Sequence, residues 1–228
     1  MESPRLSIVL PALNEAAAIV PALERLARQA PGAERIVADG GSSDGTPGLA
    51  RPWARVVAAP RGRARQMNAG AAAARGDWLL FLHVDSALPE GFAADIAGAA
   101  RAGYQAGAFR LRIAGRHPLL PLVAWGATLR TRWRGIAFGD QGLFVRRDVF
   151  EARGGFPDVP LMEDYAWTRD LGRAGIALYL SPLAVTTSGR RWDERGFWRT
   201  WWRMRRNQWR FARTGDAETL ARRYDPVR

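Results

Sequence analysis

The first hundred residues alternate short apolar runs with helical stretches, and few folds accept that rhythm. "RLSIVLPA" (5–12), "RIVAD" (35–39), "ARVVAAP" (54–60) and "WLLFLH" (78–83) are short enough and apolar enough to be buried strands. Between and after them lie a helical segment beyond Asn14, the Ala-rich "GRARQMNAGAAAARG" (62–76) and a helix over Pro89–Arg101. In the first of these, Pro21 is tolerated if it falls near the first turn. A strand–helix alternation of this kind argues for a parallel, doubly wound α/β sheet. Ligands in such sheets bind beyond the carboxyl ends of the strands.

Two of the runs end in a carboxylate. The strand before "GGSSDGT" ends at Asp39, and the apolar run from Trp78 breaks into His83, Asp85 and Ser86. An ionised Asp is costly to bury, so it must face water, a cation or a positive side chain. The second half is less regular. "GAFRLRI" (107–113) alternates as a strand does, "DQGLFVRRDVFEARGGF" (140–156) reads as strand, helix and Gly-Gly stop, "LMEDYAWTRDLGRAG" (161–175) is a helix opened by two acids, and "IALYLSPLAVTTSG" is strand-like.

Composition excludes several chemistries. The chain has 228 residues, 47% of them hydrophobic, and no cysteine, which removes disulfides, thiolate nucleophiles and Cys-based metal sites. All 34 basic residues are arginine, so neither a Schiff base nor a P-loop lysine is available. No uncharged apolar run approaches the roughly 18 residues of a spanning helix; Pro118–Leu129 is too short and carries two prolines. Met1–Leu10 has an acid, a proline and no apolar core, unlike a secretory signal. These features lead us to expect a cytoplasmic protein. A formal charge of +12 favours anionic partners.

Each candidate residue has a plain reading beside its chemical one. Asp85 can bind a divalent cation through oxygen or satisfy the amides of a following turn; His83 is a second ligand or a structural imidazole. Asp39 accepts a hydrogen bond from a base or ribose, or closes an Asx-turn, while Asp44 or Ser42 can cap the next helix. The arginines of "PRGRARQMNAG" (60–70) suit a diphosphate at a helix start, or form a solvated face. Glu163 and Asp164 stabilise a helix dipole, or supply a general base.

In their order, "SIVLPALNE" (7–15), "IVADGGSSDGT" (36–46), "RARQMNAGAAAARGDWLLFLHVD" (63–85), "GDQGLFVRRDVFEARGGFPDVPLMED" (139–164) and "SGRRW" (188–192) resemble the family-2 glycosyltransferases of GT-A fold over nearly the whole chain. More narrowly the chain resembles the bacterial selenodomain-associated transferase 2 group, also described as arsenosugar-biosynthesis glycosyltransferases. The resemblance implies that Pro11, Ala12, Leu13 and Glu15 line a nucleotide pocket and that Asp39 holds the base or ribose. It implies nucleotide-sugar contacts from Arg63, Arg65, Asn68, Val84, Asp85, Gln141, Arg191 and Trp192. Asp85 matches the last Asp of the family's D-x-D metal motif, whose first Asp is replaced by His83. Asp164 matches the catalytic base, preceded by Glu163. Arg191-Trp192 match the end of a Q-x-x-R-W motif whose Gln is here Ser188, so a processive synthase is not expected.

The implied organisation is a GT-A catalytic domain over 1–188, with a nucleotide-sugar-binding half (1–105) and an acceptor and catalytic-base half (106–188), then a basic aromatic tail over 189–228. The implied reaction is inverting and non-processive, with Mg²⁺ or Mn²⁺ at Asp85 and a nucleoside-diphosphate sugar as donor. The acceptor is a small-molecule or lipid-like hydroxyl. A sugar-nucleotide nucleotidyltransferase would call for a Gly-rich basic loop after the first strand, where "LPALNEAAAI" has none. A nucleic-acid-binding protein would explain the charge and an Arg-Trp tail, but not acids at strand ends, and no nucleic-acid partner is expected. The tail holds twelve arginines against five acids, and five of the ten tryptophans. On a helix over 196–213, Phe197, Trp198, Trp201, Trp202, Met204, Trp209 and Phe211 fall on one half. That half lies on an anionic membrane, which would make the protein peripheral on the inner face of the cell membrane, or it packs on the domain or on a second subunit of a homodimer.

Overall fold

The computed structural model describes residues 4–214. Residues 1–3, and positions 215–228 of the expected tail, lie outside the described residues. Eight strands form one sheet: β1 (Leu6–Ala12), β2 (Glu34–Asp39), β3 (Arg55–Ala58), β4 (Trp78–Phe81), β5 (Ser86–Ala87), β6 (Ala106–Ala114), β7 (Leu143–Arg146) and β8 (Leu178–Ser188). Their spatial order is β3-β2-β1-β4-β7-β6-β8-β5. The first four are mutually parallel, as are β6 and β8, whereas β7 runs against both β4 and β6, and β5 against β8. The expectation of a parallel sheet therefore holds for most strands and fails at the two-residue edge strand β5 and at β7, where the chain re-enters the centre from the opposite end.

The central strands are apolar throughout because both of their faces are covered. On one face Ile8, Leu10 and Leu80 pack with Leu23, Leu26, Phe92 and Ile96, from helices α1 (Ala16–Gln29) and α4 (Phe92–Arg101). On the other, Val9, Leu79 and Phe81 pack with Met67, Phe150, Trp167 and Leu171, from α3 (Arg63–Ala73), α6 (Arg147–Ala152) and α7 (Glu163–Arg173). Each such side chain contributes about 1.5–3 kcal/mol on leaving water. Helix α3 lies close on β1 because Gly70 has no side chain; a Cβ there would fall 2.3 Å from Val9 Cγ1. A short α2 (Thr46–Ala50) follows the Gly/Ser loop after β2.

Three local findings depart from expectation. Pro21 sits in the second turn of α1, on its exposed face, where water can take the carbonyl left without its partner. The run after Pro118 forms a helix, α5 (Leu120–Arg134), with Pro121 in its first turn. Its apolar residues show little helical periodicity, which hid it. The tail splits into α8 (Arg190–Arg195) and α9 (Phe197–Thr214), and its aromatic half divides. Phe197, Trp201 and Met204 pack with Leu120 and Trp192, and Phe211 packs with Val159, Leu161 and Tyr165, whereas Trp198, Trp202 and Trp209 point outward.

Candidate active site

Strand β1 has β2 on one side and β4 on the other, so the chain leaves it in opposite directions and opens a crevice at its carboxyl end. The two loops at that crevice are knitted together. The Asn14 and Glu15 amides donate to Ser42 Oγ and Thr46 Oγ1, both at 2.8 Å, and the Ala16 amide donates to Asp44 Oδ2 at 2.9 Å. Asp44 thus caps α1 from across the gap as well as binding Thr46, whose hydroxyl is the main reason its carboxyl titrates below the usual range. Asp39 closes the expected Asx-turn with one oxygen and leaves the other unused. Its Oδ2 accepts the Gly41 and Ser42 amides at 3.0 Å, an Asx-turn, while its Oδ1 is buried with no partner among the described residues.

Beyond β4 the chain passes through His83, Val84 and Asp85 and pairs β5 with β8, Ser86 opposite Thr187. Just past β8 come Gly189 and Arg191, which accounts for the field of Arg191 at the His83 ring. Strand β7 pairs antiparallel with β4, Leu143 opposite Phe81, so the turn that precedes it, Gly139–Gln141, arrives at the edge where β4 ends. Gly139 is wedged between two candidate residues: a Cβ there would lie 2.9 Å from His83 Nε2 and 3.4 Å from Asp164 Oδ2. Its amide donates to Asp164 Oδ2 at 2.6 Å. Helix α7 brings Glu163 and Asp164 in its first turn, after Met162 at φ 68°. A left-handed Met costs of order 1–3 kcal/mol, and here it sets the turn that aims both acids inward.

The result is a cluster of acids opposed by guanidiniums. Asp140 lies in the fields of Arg130, Asp164, Arg63 and Asp85, and burial raises its carboxyl to about 6 despite Arg130; its Oδ1 has no hydrogen-bond partner among the described residues. Glu163, 1% exposed, is also raised, by burial first and by Asp164, against the pull of Arg63. That arginine meets it in a long contact, Nη1 to Oε1 at 3.4 Å. His83 keeps one edge toward the surface, but its Nε2 is sealed. Burial, with Arg63 and Arg191 nearby, lowers it to about 3, so the imidazole is neutral at any working pH.

The structure brings Arg63, His83, Asp85, Glu163, Asp164 and Arg191 into one neighbourhood at the sheet's edge, with Pro11, Ala12, Leu13, Glu15 and Asp39 at the carboxyl ends of β1 and β2 and Val84 buried. Four expected contacts are occupied elsewhere. Arg65 forms an ion pair with Asp158. Asn68 exchanges two hydrogen bonds with the Phe156 backbone. Gln141 is fully buried among Thr131, Arg130 and the Phe109 carbonyl. Trp192 belongs to the core under α9. Asp140 and Arg130 were not anticipated; the antiparallel entry of β7 places the first, and the unforeseen α5 carries the second.

Metal fit follows from the donors. Among the described residues no three His, Asp or Glu side chains are grouped to hold a cation alone. The expected pair is unequal, since Asp85 is exposed whereas His83 Nε2 is closed off by Gly139. One open carboxylate, with the unpartnered Oδ1 of Asp140 nearby, suits a Mg²⁺- or Mn²⁺-type site completed by phosphate oxygens and water. Chemically the site offers cationic groups for a polyanion and, among them, carboxylates able to hold a cation or accept a proton.

Comparison with known proteins agrees with this fold. Residues 7–151 match the family described as Glycosyl transferase family 2. A probable glycosyltransferase of Bacillus subtilis, YdaM, is 27% identical over 233 residues, covering 90% of this chain and 54% of its own length; the chain therefore spans about half of that relative. Mannosyltransferase PcManGT from Pyrobaculum calidifontis, solved with GDP-Man and Mn²⁺, has a TM-score of 0.69 at 22% identity, over 96% of this chain and 67% of that one. Glucosyl-3-phosphoglycerate synthase from Mycobacterium tuberculosis, solved with Mn²⁺ and UDP, gives 0.59 at 22% identity over 81% of this chain and 70% of its own. TarS from S. aureus with UDP-GlcNAc gives 0.64 at 17% identity over 81% and 58%. Sheet topology and family match converge on one statement: the chain belongs to the family-2 glycosyltransferases, with the GT-A fold.

Proposed function

We propose that the chain is an inverting, divalent-metal-dependent, non-processive glycosyltransferase that moves a sugar from a nucleoside-diphosphate sugar to an acceptor hydroxyl. The observation that carries this reading is the meeting of Asp85, Asp140 and Asp164 with Arg63 at the carboxyl edge of the sheet. Asp164 is the base. It is 7% exposed against 1% for Glu163, and the amides of Gly139 and Tyr165 fix its plane. It takes the proton of the acceptor hydroxyl as that oxygen attacks the anomeric carbon, and the bond to the diphosphate breaks on the opposite face. Arg63 and Arg191 balance the charge that develops on the leaving diphosphate. A Mg²⁺ or Mn²⁺ held by Asp85 beside Asp140 would supply Lewis-acid stabilisation of the same group. Asp39, through its unpartnered Oδ1, anchors the base or ribose. Ser188 in place of Gln, and a tail that folds back on the domain, support single transfers.

Calorimetric titration of UDP- and GDP-sugars with Mn²⁺ and with chelator tests donor binding, and NMR of the product with a β-linked or α-linked donor reads the stereochemistry. Retained anomeric configuration, or donor affinity indifferent to the metal, contradicts the reading.

A further inference from the structure

Two neighbouring helices turn large apolar side chains away from the protein. Helix α9 exposes Trp198, Trp202 and Trp209 at 60%, 64% and 60%, and α5 exposes Leu122, Trp125 and Trp133 at 60%, 60% and 74%. The first three share one stripe at helical spacing, opposite the face carrying Phe197, Met204 and Phe211. The helices touch, since Leu120 and Val123 of α5 pack with Phe197, Trp201 and Met204 of α9, and Arg130 senses the charge of Arg205. Neither helix contains an acid, and between them they carry nine arginines. Arg213 stacks over Trp209 at 4.5 Å.

Beside α5 lies a cleft of about 730 Å³ whose rim includes Arg110, Arg112, Arg116 and Arg132, with Leu111 and Trp125 in its lining. None of these four guanidiniums has an ion-pair partner among the described residues. Four like charges around one hollow repel one another, and an anion there relieves them. Tryptophans interleaved with arginines along a helix that also buries an apolar face form the pattern of an element lying in a membrane interface. A nucleic-acid surface would use the charge and stack bases on the tryptophans, but it has little use for the exposed aliphatic Leu122 beside them. No described helix is long and apolar enough to cross a membrane.

We propose that the face formed by α5 and α9 docks on an anionic bilayer, tryptophans at headgroup level, with the arginine-rimmed cleft seating a lipid headgroup phosphate. This surface is independent of the sugar-transfer reading, and its test needs no turnover. Each arginine that reaches an anionic surface is worth about fivefold in partitioning, so four would favour charged over neutral vesicles on the order of several hundredfold at low salt.

The full chain is floated with phosphatidylglycerol/phosphatidylcholine vesicles and with phosphatidylcholine alone, and its molar mass is measured without lipid. The expected result is at least tenfold preference for the anionic vesicles. The Trp198→Gln/Trp202→Gln/Trp209→Gln variant is expected to lose at least tenfold while keeping its thermal transition, because these side chains are exposed. An Arg110→Gln/Arg112→Gln/Arg132→Gln variant is expected to lose the preference for charged lipid, and it carries the test should the tryptophan variant fail to fold. Flotation with neither vesicle, equal flotation with both, or native flotation by both variants overturns the proposal. So does a dimer, or tight single-stranded RNA binding, that the tryptophan variant abolishes while vesicles leave the parent unbound.

Discussion

Asp164→Asn separates a carboxylate that works from one that merely holds the site together. In the parent, Oδ2 accepts the Gly139 amide and Oδ1 the Tyr165 amide, each at 2.6 Å. A carboxamide offers a single oxygen, so one of the two N–H groups must face an NH₂. Leaving a buried donor unmatched costs about 1–3 kcal/mol. Removing the charge offsets part of this, because Asp164 raises the carboxyls of both Asp140 and Glu163 by like-charge repulsion. At roughly 2–4 °C per kcal/mol for a domain of this size, the net expectation is a fall in Tm of about 2–6 °C. Loss of a general base costs about 10²–10⁴ in rate, far more than so small a destabilisation explains. Single-turnover transfer at saturating donor, with donor affinity by calorimetry and Tm by differential scanning, reads all three quantities. Turnover within tenfold of the parent removes Asp164 as the proton acceptor. Lost donor binding with a much larger fall in Tm makes it a structural strut instead.

Three further outcomes follow from the same geometry. Asp85→Ala is expected to abolish the effect of Mn²⁺ on donor affinity, and calorimetry with and without the metal checks it; an unchanged metal effect assigns the cation elsewhere. Asp140→Asn should stabilise the metal-free protein at neutral pH, on the order of 3 kcal/mol for a carboxyl raised from 3.8 to about 6. Between those values the folded state keeps a proton that the unfolded chain has shed, so parent stability falls as pH rises through about 6. The variant should therefore gain little near pH 4 and most above pH 6 in a Tm series, and a pH-independent gain refutes the assignment. Gly70→Ala places a Cβ 2.3 Å from Val9 Cγ1 and is expected to cost about 1–3 kcal/mol of stability in urea; a neutral result would mean that α3 shifts freely on β1.

Much of the first half of the chain can be read from residue order, because it is built locally. Apolar runs too short for helices, ending at Asp39 and near Asp85, announce strands whose carboxyl ends share an edge. The second half resists such reading for a geometric reason: a strand's residues do not encode its direction. Treated as parallel, "LFVR" would begin at the far end of the sheet, and Asp140 with it; antiparallel to β4, it begins at the cleft. Asn68 and Gln141 show another limit. A carboxamide near a site serves equally a ligand or a stray backbone group, and the demand for hydrogen bonds inside the protein claimed both. The tail's helical wheel located the aromatics but not which of them the domain would cover, since that depends on where α5 and α7 stand.

The reversal of β7 also bears on how the protein comes into being. Strands β1 to β4 can register from the first third of the chain, since each parallel neighbour is only a crossover away. That early sheet carries Asp39 and leads into Asp85, but it has neither Asp140 nor Asp164 and no guanidinium from α5. Those arrive only when a later segment threads back beside β4, a long-range closure of the kind that folds slowly. Activity during refolding is therefore expected to lag behind secondary structure, the working edge being the last part of the molecule to exist.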